Sequence, residues 1–257
     1  MLWIEAQSTP VITVLTFTIC YMMTGAIFWL ALIVSRRAVA RDLKGVAPVT
    51  LTPLGVILGL VIAFLASRVW TNLDRASEYV GQEASALRAT ALLANSLPAD
   101  VSRDVRQAIQ KHLHFLEANE WPAMARRQAN LQVIPGGLAE ALSAVLSFEP
   151  AQFNQRVAQE RAVVAIEQAL EARRSRIRLS QAEIAPIQWI VIVVLAVLVL
   201  LTLAMIHIEI LLAMAVTMFI FSTAVALCLV LLMVYDRPFG AGGFIIEPTV
   251  LRDVMPD

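Results

Sequence analysis

The sequence predicts an all-α integral membrane protein with four transmembrane helices, in two pairs flanking a water-exposed helical domain. Three observations predict it. Apolar residues make up 59% of the 257 positions and charged residues only 16%, against roughly 45–50% and about 25% in soluble domains, and the mean hydropathy is +0.73. That apolar excess is gathered into three blocks nearly free of charge, the pattern of membrane spans and not of one large soluble core. The stretch between the second and third blocks is polar and carries apolar residues at helical spacing, with no strand-like alternation.

The first block covers residues 11–34 and is closed by Arg36 and Arg37. At a rise of about 1.5 Å per residue it spans a hydrocarbon core of about 30 Å. The second covers residues 51–69. Pro53 is expected in its first turn, where a missing N–H matters little, and Arg68 with Trp70 reads as an interfacial anchor pair. The third covers residues 187–235, too long for one crossing. His207 and Glu209 interrupt it and are costly to place in hydrocarbon, so a tight turn is predicted there, giving spans at residues 187–206 and 210–235. The domain organisation is therefore 1–70 for the first pair, 71–186 for the extramembrane domain, 187–235 for the second pair and 236–257 for a tail.

Within the central domain, Ala76, Val80, Ala84, Leu87 and Ala91 predict a helix over residues 73–96, ended by Pro98. Asp100 or Ser102 can cap the next helix, which is predicted to run to Asn119 and to be interrupted at Pro122. Pro135-Gly136-Gly137 marks a turn, and residues 138–146 form a further helix. A long helix opens at Pro150, with Phe153, Val157 and Val164 as its expected core side. It meets no breaker before Pro186, so it is expected to run almost directly into the third span.

Two charge signals bear on orientation. The loop between the first two spans holds Arg36, Arg37, Arg41 and Lys44 against Asp42, which places that loop in the cytoplasm and both termini and the central domain outside. Arg173, Arg174, Arg176 and Arg178, just before the third span, argue the other way. The short-loop signal is favoured, because large domains translocate largely regardless of charge. Residues 1–10 contain Glu5 and no Lys or Arg, which is not a signal-peptide pattern.

The formal net charge is zero, so nothing draws the chain to nucleic acid as a bulk electrostatic partner. Cys20 and Cys228 both fall in apolar blocks and read as buried small hydrophobes. There is no P-loop, GxSxG, HExxH or dinucleotide fingerprint, so a non-enzyme without cofactor or metal is expected. Arg68 at the end of its block is the one Lys, Arg or Asp in the spans, so neither a proton relay nor a voltage-sensing row is present.

The second span carries the clearest internal pattern. Gly55, Gly59, Ala63 and Ser67 recur every fourth residue as a small-residue stripe, suited to helix packing within the subunit, to packing around an oligomeric axis, or to a pore wall. Thr16, Tyr21 and Thr24 of the first span are second-choice pore lining. Glu83 and Glu120 are candidates for a vestibule that would favour cations. The Arg173, Arg174, Arg176 and Arg178 run reads as a solvated, snorkelling collar, or as a surface attracting lipid headgroups or anions. His114, Glu117 and Glu120 can share a polar helix face with His112 nearby, too sparse for a metal site. Asp236-Arg237-Pro238-Phe239-Gly240 reads as a helix stop, with Phe239 at the interface, Arg237 snorkelling, and Gly240, Gly242 and Gly243 letting the tail fold back.

Trp70, Glu83-Ala84, Glu120-Trp121-Pro122, Arg174 and Arg178, Pro186 with Trp189, Asp236-Arg237-Pro238-Phe239-Gly240 and Pro248 occur in an order that covers most of the chain. In this pattern the sequence resembles the DUF4239 family, the bestrophin-like membrane proteins of bacteria. It departs from the family where a His-Asn pair is expected before the second span; here the chain reads Arg41-Asp42-Leu43-Lys44-Gly45. The resemblance implies a homo-oligomeric ion channel with four membrane helices per subunit and a helical middle region, placed by the family label in the cytoplasm. The partners expected are the lipid bilayer, further copies of the chain and inorganic ions. The alternative is a membrane-anchored sensor, assembly or scaffold protein whose helical domain binds a ligand or partner.

Overall fold

The computed structural model describes residues 9–35, 47–133, 135–240, 246 and 248–254. The basic loop before the second span (Arg36, Arg37, Arg41, Asp42, Lys44 and Gly45), Gly242 and Gly243 lie outside the described residues. The elements in order are α1 (Thr9–Ser35), α2 (Ala47–Ala94), α3 (Ala99–Phe115), a π-helical turn (Leu116–Glu120), α4 (Trp121–Ala125), α5 (Gly136–Leu146), α6 (Phe153–Ser180), α7 (Pro186–Ile206), α8 (Leu211–Tyr235) and α9 (Thr249–Arg252). Four of them, α1, the first part of α2, α7 and α8, are long and apolar enough to cross a membrane. The chain divides into a membrane unit, reaching to Thr71 and resuming over Glu183–Asp236, and a helical unit, Asn72–Ala182 with the chain from Arg237 onward.

In the membrane unit, Cys20 of α1, Leu58, Leu65 and Val69 of α2, Trp189, Ile192 and Ala196 of α7, and Ala226 and Leu232 of α8 share one core. Ile27, Leu200, Ala204, Met214 and Met218 form a second cluster. α7 and α8 are joined by the short turn predicted at His207 and Glu209, because α7 stops at Ile206 and α8 starts at Leu211. The start of α7 is ordered by Gln188, whose Oε1 accepts from the Ala185 backbone N–H at 3.1 Å and from Arg68 at 3.3 Å. Trp70 meets the Tyr235 ring edge-on at 6.1 Å.

Sequence expectations change first at α2, α6 and the start of α3. The second span does not end at Trp70. α2 continues unbroken to Ala94, so the span and the first domain helix are one element of 48 residues. Nothing in the sequence from Val69 to Asn72 breaks a helix, since neither Gly nor Pro occurs there. Pro53 then lies inside the helix and not in its first turn. Second, α6 ends at Ser180, and residues 181–185 separate it from α7. Pro186 is the reason, because proline drives the residue before it out of the helical region, and Ala185 has ψ 140. Third, neither Asp100 nor Ser102 caps α3. Pro98 occupies the cap position without a side-chain bond, and Asp100 sits in the first turn, where its charge suits the helix dipole.

The helical unit has its own core, running from Ala76 on α2 through α3, α5 and α6 to Phe239, Leu251 and Val254 of the tail. The inner face of α6 is Ala158, Ala162, Ala165, Ala169, Ala172 and Arg176, spaced four and three residues apart in alternation, which keeps them on one side of a helix. Phe153, Val157 and Val164, the expected core side, are on the outside at 82%, 40% and 44% exposure. Alanine wins the inner face because it lets helices approach closely. α3 and α5 approach more closely still: a Cβ on Gly137 would lie 2.4 Å from the Ala108 carbonyl oxygen and 2.7 Å from the His112 nitrogen. Pro122 does not interrupt the chain either. α3 passes through the π-helical turn directly into α4, with Pro122 in the first turn of α4, where a missing N–H is tolerated.

Candidate functional site

Two features carry the site-building residues: a face of α2 in the membrane unit and an ion cluster in the helical unit.

On α2 the small-residue stripe Gly55, Gly59, Ala63 and Ser67 is exposed along its whole length. A Cβ placed on Gly55 or Gly59 meets nothing within 4 Å. Packing within the subunit is therefore not what the stripe does; the inward residues are Leu58, Leu65 and Val69. Val56, Ile57, Leu60 and Phe64 are exposed beside it. Only 11% of the apolar window of α2 is buried within the subunit, against 39% for α7, so α2 is the span with the most apolar surface left to cover.

The second-choice lining residues sit elsewhere. Thr16 is buried, its hydroxyl bonded to the Ile12 carbonyl at 2.8 Å and 3.6 Å from the Met233 sulfur. Tyr21 bonds Thr223 at 3.0 Å and stacks on Phe219 at 5.3 Å. Thr24 turns back to the Cys20 carbonyl at 2.9 Å. Thr16 and Tyr21 join α1 to α8, and all three satisfy their hydroxyls inside the subunit, as an apolar surrounding requires.

In the helical unit, Glu83 (0% exposed), Glu120 (5%), Arg173 (3%), Arg176 (0%) and His112 (0%) are all buried and form one cluster. Arg176 Nε donates to Glu83 Oε2 at 2.8 Å, and its Nη2 donates to Glu120 Oε2 at 2.9 Å. Arg173 Nε donates to Glu120 Oε1 at 2.7 Å and its Nη2 to the Val133 carbonyl at 2.9 Å. His112 Nε2 lies 3.0 Å from Glu83 Oε1. A carboxylate accepts, so Nε2 carries the shared proton; Nδ1 is buried with no hydrogen-bond partner among the described residues. The Arg176 guanidinium also lies over the Trp121 ring at 5.4 Å, a cation–π contact, and Trp121 meets Phe239 of the tail edge-on at 5.5 Å.

Two carboxylates and two guanidiniums balance, which is what lets the group be buried at all. Burial by itself pushes the Glu83 carboxyl up, but the Arg176 charge and the His112 bond outweigh it and hold the carboxyl below its usual range. Arg176 is likewise penalised by burial and held protonated more firmly than usual by Glu83 and Glu120.

The π-helical turn places Glu120 in this cluster. His112, Leu116, Glu120 and Met124 are all buried at intervals of four. In a regular α-helix each such step drifts about 40° round the axis. A π turn winds more slowly and takes that drift back, so His112 and Glu120 face the same seam.

These positions revise the sequence assignments. Glu83 and Glu120 do not face water as vestibule groups; their oxygens are held by arginines. Arg173 and Arg176 are not part of a solvated collar, whereas Arg174 and Arg178 are exposed and pair with Glu171 at 3.5 and 3.9 Å. His112 leaves the polar face expected for it; His114 stays exposed, and Glu117 pairs with Arg252 at 2.5 Å. Phe239 is in the core of the helical unit and not at an interface, with Pro238 and Gly240 buried beside it. Ile246 donates its N–H to the Pro238 carbonyl at 3.1 Å, closing the tail back on itself. Asp236 and Arg237 are half-buried at its start. A signal for the cluster was present in the spacing. Glu83 continues the inward series Ala76, Val80, Leu87, and Arg176 continues the alanine series of α6. A charge at a core position on each of two helices implies a buried pair.

The bestrophin-like domain profile matches residues 19–251. The chain belongs to the bestrophin-like family. Its fold is shared with crystal structures of a bacterial bestrophin homologue from Klebsiella pneumoniae, each carrying one substitution. One superposes with a TM-score of 0.69 at 14% identity, covering 94% of this chain and 96% of that one. A second gives 0.66 at 13% over 92% and 96%, and a third 0.64 at 14% over 94% and 97%. No curated protein sequence matches. For this bestrophin-like chain the family supplies the fold, while the burial pattern above is read from its own residues.

Proposed function

We propose that this protein is one subunit of a homo-oligomeric ion channel or channel-like pore in a bacterial inner membrane, with its conduction path on the symmetry axis of the oligomer. The observation that carries the reading is the exposed small-residue face of α2 on a bestrophin-like subunit. Four helices packed on each other leave no room for a wet path inside one subunit, so a pore belongs on an axis between subunits. Small residues on the least covered span allow close backbone approach there, and Val56, Leu60 and Phe64 beside them supply apolar groups able to gate by dewetting.

The ion sign does not follow from Glu83, Glu120, Arg173 or Arg176, which neutralise one another. The motifs Glu120-Trp121-Pro122 and Asp236-Arg237-Pro238-Phe239-Gly240 favour the DUF4239 branch of the family. The basic loop before the second span favours an orientation with the helical unit outside the cytoplasm, and the opposing signal is weaker now that Arg173 and Arg176 are counted as neutralised. The reading calls for no catalysis.

A second reading, a membrane-anchored sensor or assembly protein, is favoured by the continuity of α2, one helix from the membrane span to the core of the helical unit. Ion flux through the purified protein in liposomes, with oligomer mass measured in the same preparation, separates the two. Selective flux from a defined oligomer supports the channel. A folded monomer without flux across pH, voltage and calcium would leave the sensor.

A further inference from the structure

Within the buried cluster, His112 carries a polar atom that the cluster does not satisfy. Its ring is fully enclosed and Nε2 lies 3.0 Å from Glu83 Oε1. Nδ1 is buried too and has no hydrogen-bond partner among the described residues. A buried polar atom left in this way works against the closed core. The charge balance does not call for His112 either, because the two glutamates are already matched by the two arginines.

The elements packed on His112 leave no place for a second proton on its ring. From α2, Glu83 faces it, but Arg176 of α6 bonds both oxygens of that carboxylate, Oε2 at 2.8 Å and Oε1 at 3.3 Å. The Arg176 charge therefore stands at the same oxygen that His112 uses, and a second cation there is repelled. Arg173, also on α6, bonds Glu120 of the π-helical turn at 2.7 Å, and the other Glu120 oxygen takes Arg176.

α5 brings backbone and no charge. A Cβ on Gly137 would lie 2.7 Å from the His112 backbone nitrogen and 2.9 Å from the His112 Cβ. The first turn of α5 thus abuts His112, and the positive end of the α5 dipole works against a cation there. α3 offers no free negative end in return. The His112 carbonyl accepts from the Leu116 N–H, and the chain winds on into the π-helical turn. Of the charged neighbours on α3 itself, Lys111 is exposed and paired with Glu140, and His114 is exposed.

We propose that His112 is a proton-sensitive lock on the helical unit: with one ring proton, on Nε2, it holds the seam of α2, α3 and α6 closed, and a second proton taken from solvent at Nδ1 opens that seam. The doubly protonated ring would present an N–H without an acceptor and give the cluster one positive charge in excess, both costly in a dry core. Opening lets water satisfy both. The closed form excludes this proton and the open form takes it, so acid shifts the balance toward the open form. The lock lies within the helical unit and does not rest on the channel reading.

The test is hydrogen exchange, read by mass spectrometry, on the full chain purified in detergent, with exchange times scaled to the chemical rate. It compares about pH 8 with about pH 5.5, across the range in which histidine changes charge. Glu83, whose carboxyl is held below its usual range, stays charged over that interval. Peptides covering residues 105–120 and 169–180 should lose protection in the wild type, by up to about tenfold for each pH unit below the ordinary histidine value of about 6.5. His112→Gln keeps a donor toward Glu83 and cannot take the second proton, so its protection should be the same at both pH values. His114→Gln and His207→Gln, which remove the other two of the three histidines in the chain, should retain the acid effect. Equal protection of the wild type at both pH values would overturn the proposal, and that result needs no variant. So would an acid effect that persists in His112→Gln, or one that His114→Gln or His207→Gln abolishes.

Discussion

The exposed face of α2 and the ion cluster of the helical unit place their residues in opposite surroundings. In the membrane unit the spans are apolar on nearly every side and cover little of one another. Their inward contacts are few, and Gly55, Gly59, Ala63 and Ser67 are left open. In the helical unit five ionisable side chains are enclosed between alanine-faced helices, where each needs a partner. The difference follows from solvent. Beside lipid, an exposed apolar face carries no hydrophobic penalty, and association depends on close packing. Beside water, the core must close, and a charge inside it is tolerated only when paired and hydrogen-bonded.

This comparison can be broken most directly at Arg176. Arg176→Met leaves the Glu83 carboxylate buried without its main partner and is expected to destabilise the protein by about 3–5 kcal/mol. Denaturant or thermal unfolding of the detergent-solubilised chain reads it. A loss under about 1 kcal/mol would mean that water reaches the cluster and the seam is not dry.

Gly137→Ala comes next. The added methyl would meet backbone atoms of α3 at 2.4 and 2.7 Å, and overpacking of this kind costs about 1–3 kcal/mol. The same substitution at Gly59 has open space around it, so the pair of variants compares a closed and an open helix face within one protein. Equal effects on unfolding at the two glycines would contradict the contrast.

Acid sharpens it further. Glu83 has a lower carboxyl pKa folded than its ordinary value of 4.5, so the unfolded chain binds its proton first as pH falls. The stabilisation from Glu83 is complete above the ordinary carboxylate range and is lost as pH drops through the depressed folded value. Unfolding followed from pH 7 to pH 3 should show this loss, and Glu83→Gln should show a shallower acid slope. An identical slope in the variant would assign the acid sensitivity to other groups.

The smallest change in subunit stability is expected at the stripe. Gly59→Leu should alter unfolding of the isolated subunit by about 0.5 kcal/mol or less, as for a surface position, while lowering the oligomer mass seen by light scattering. An unchanged mass would remove this face of α2 from the subunit interface.

The elements of the membrane unit were legible in sequence because hydrocarbon imposes a simple rule: about 20 apolar residues per crossing, and charged or polar residues at the ends. The three apolar blocks, the turn at His207 and Glu209 and the break at Pro98 follow from composition and from proline stereochemistry, whereas the stop of α6 at Ser180, short of Pro186, replaces the nearly continuous helix expected there. The join at Trp70 was misplaced because polarity changes there while helix propensity does not. In the helical unit, ranking by hydrophobicity selected Phe153, Val157 and Val164 over the alanines that face the core. It also put Glu83, Glu120, Arg173, Arg176 and His112 in water, since a charge is exposed by default.

The sequence by itself determined the helices, the membrane spans, the small-residue stripe and the motifs of the bestrophin-like family. These rest on interactions between residues close in the chain and on the solvent each segment can enter. Only the tertiary structure decided that Glu83 meets Arg176, that Glu120 reaches both arginines through a π turn, and that Phe239 closes on Trp121. Those pairings join residues on different elements, and the free energy of a buried charge depends on what stands within a few ångströms of it, which no local pattern records.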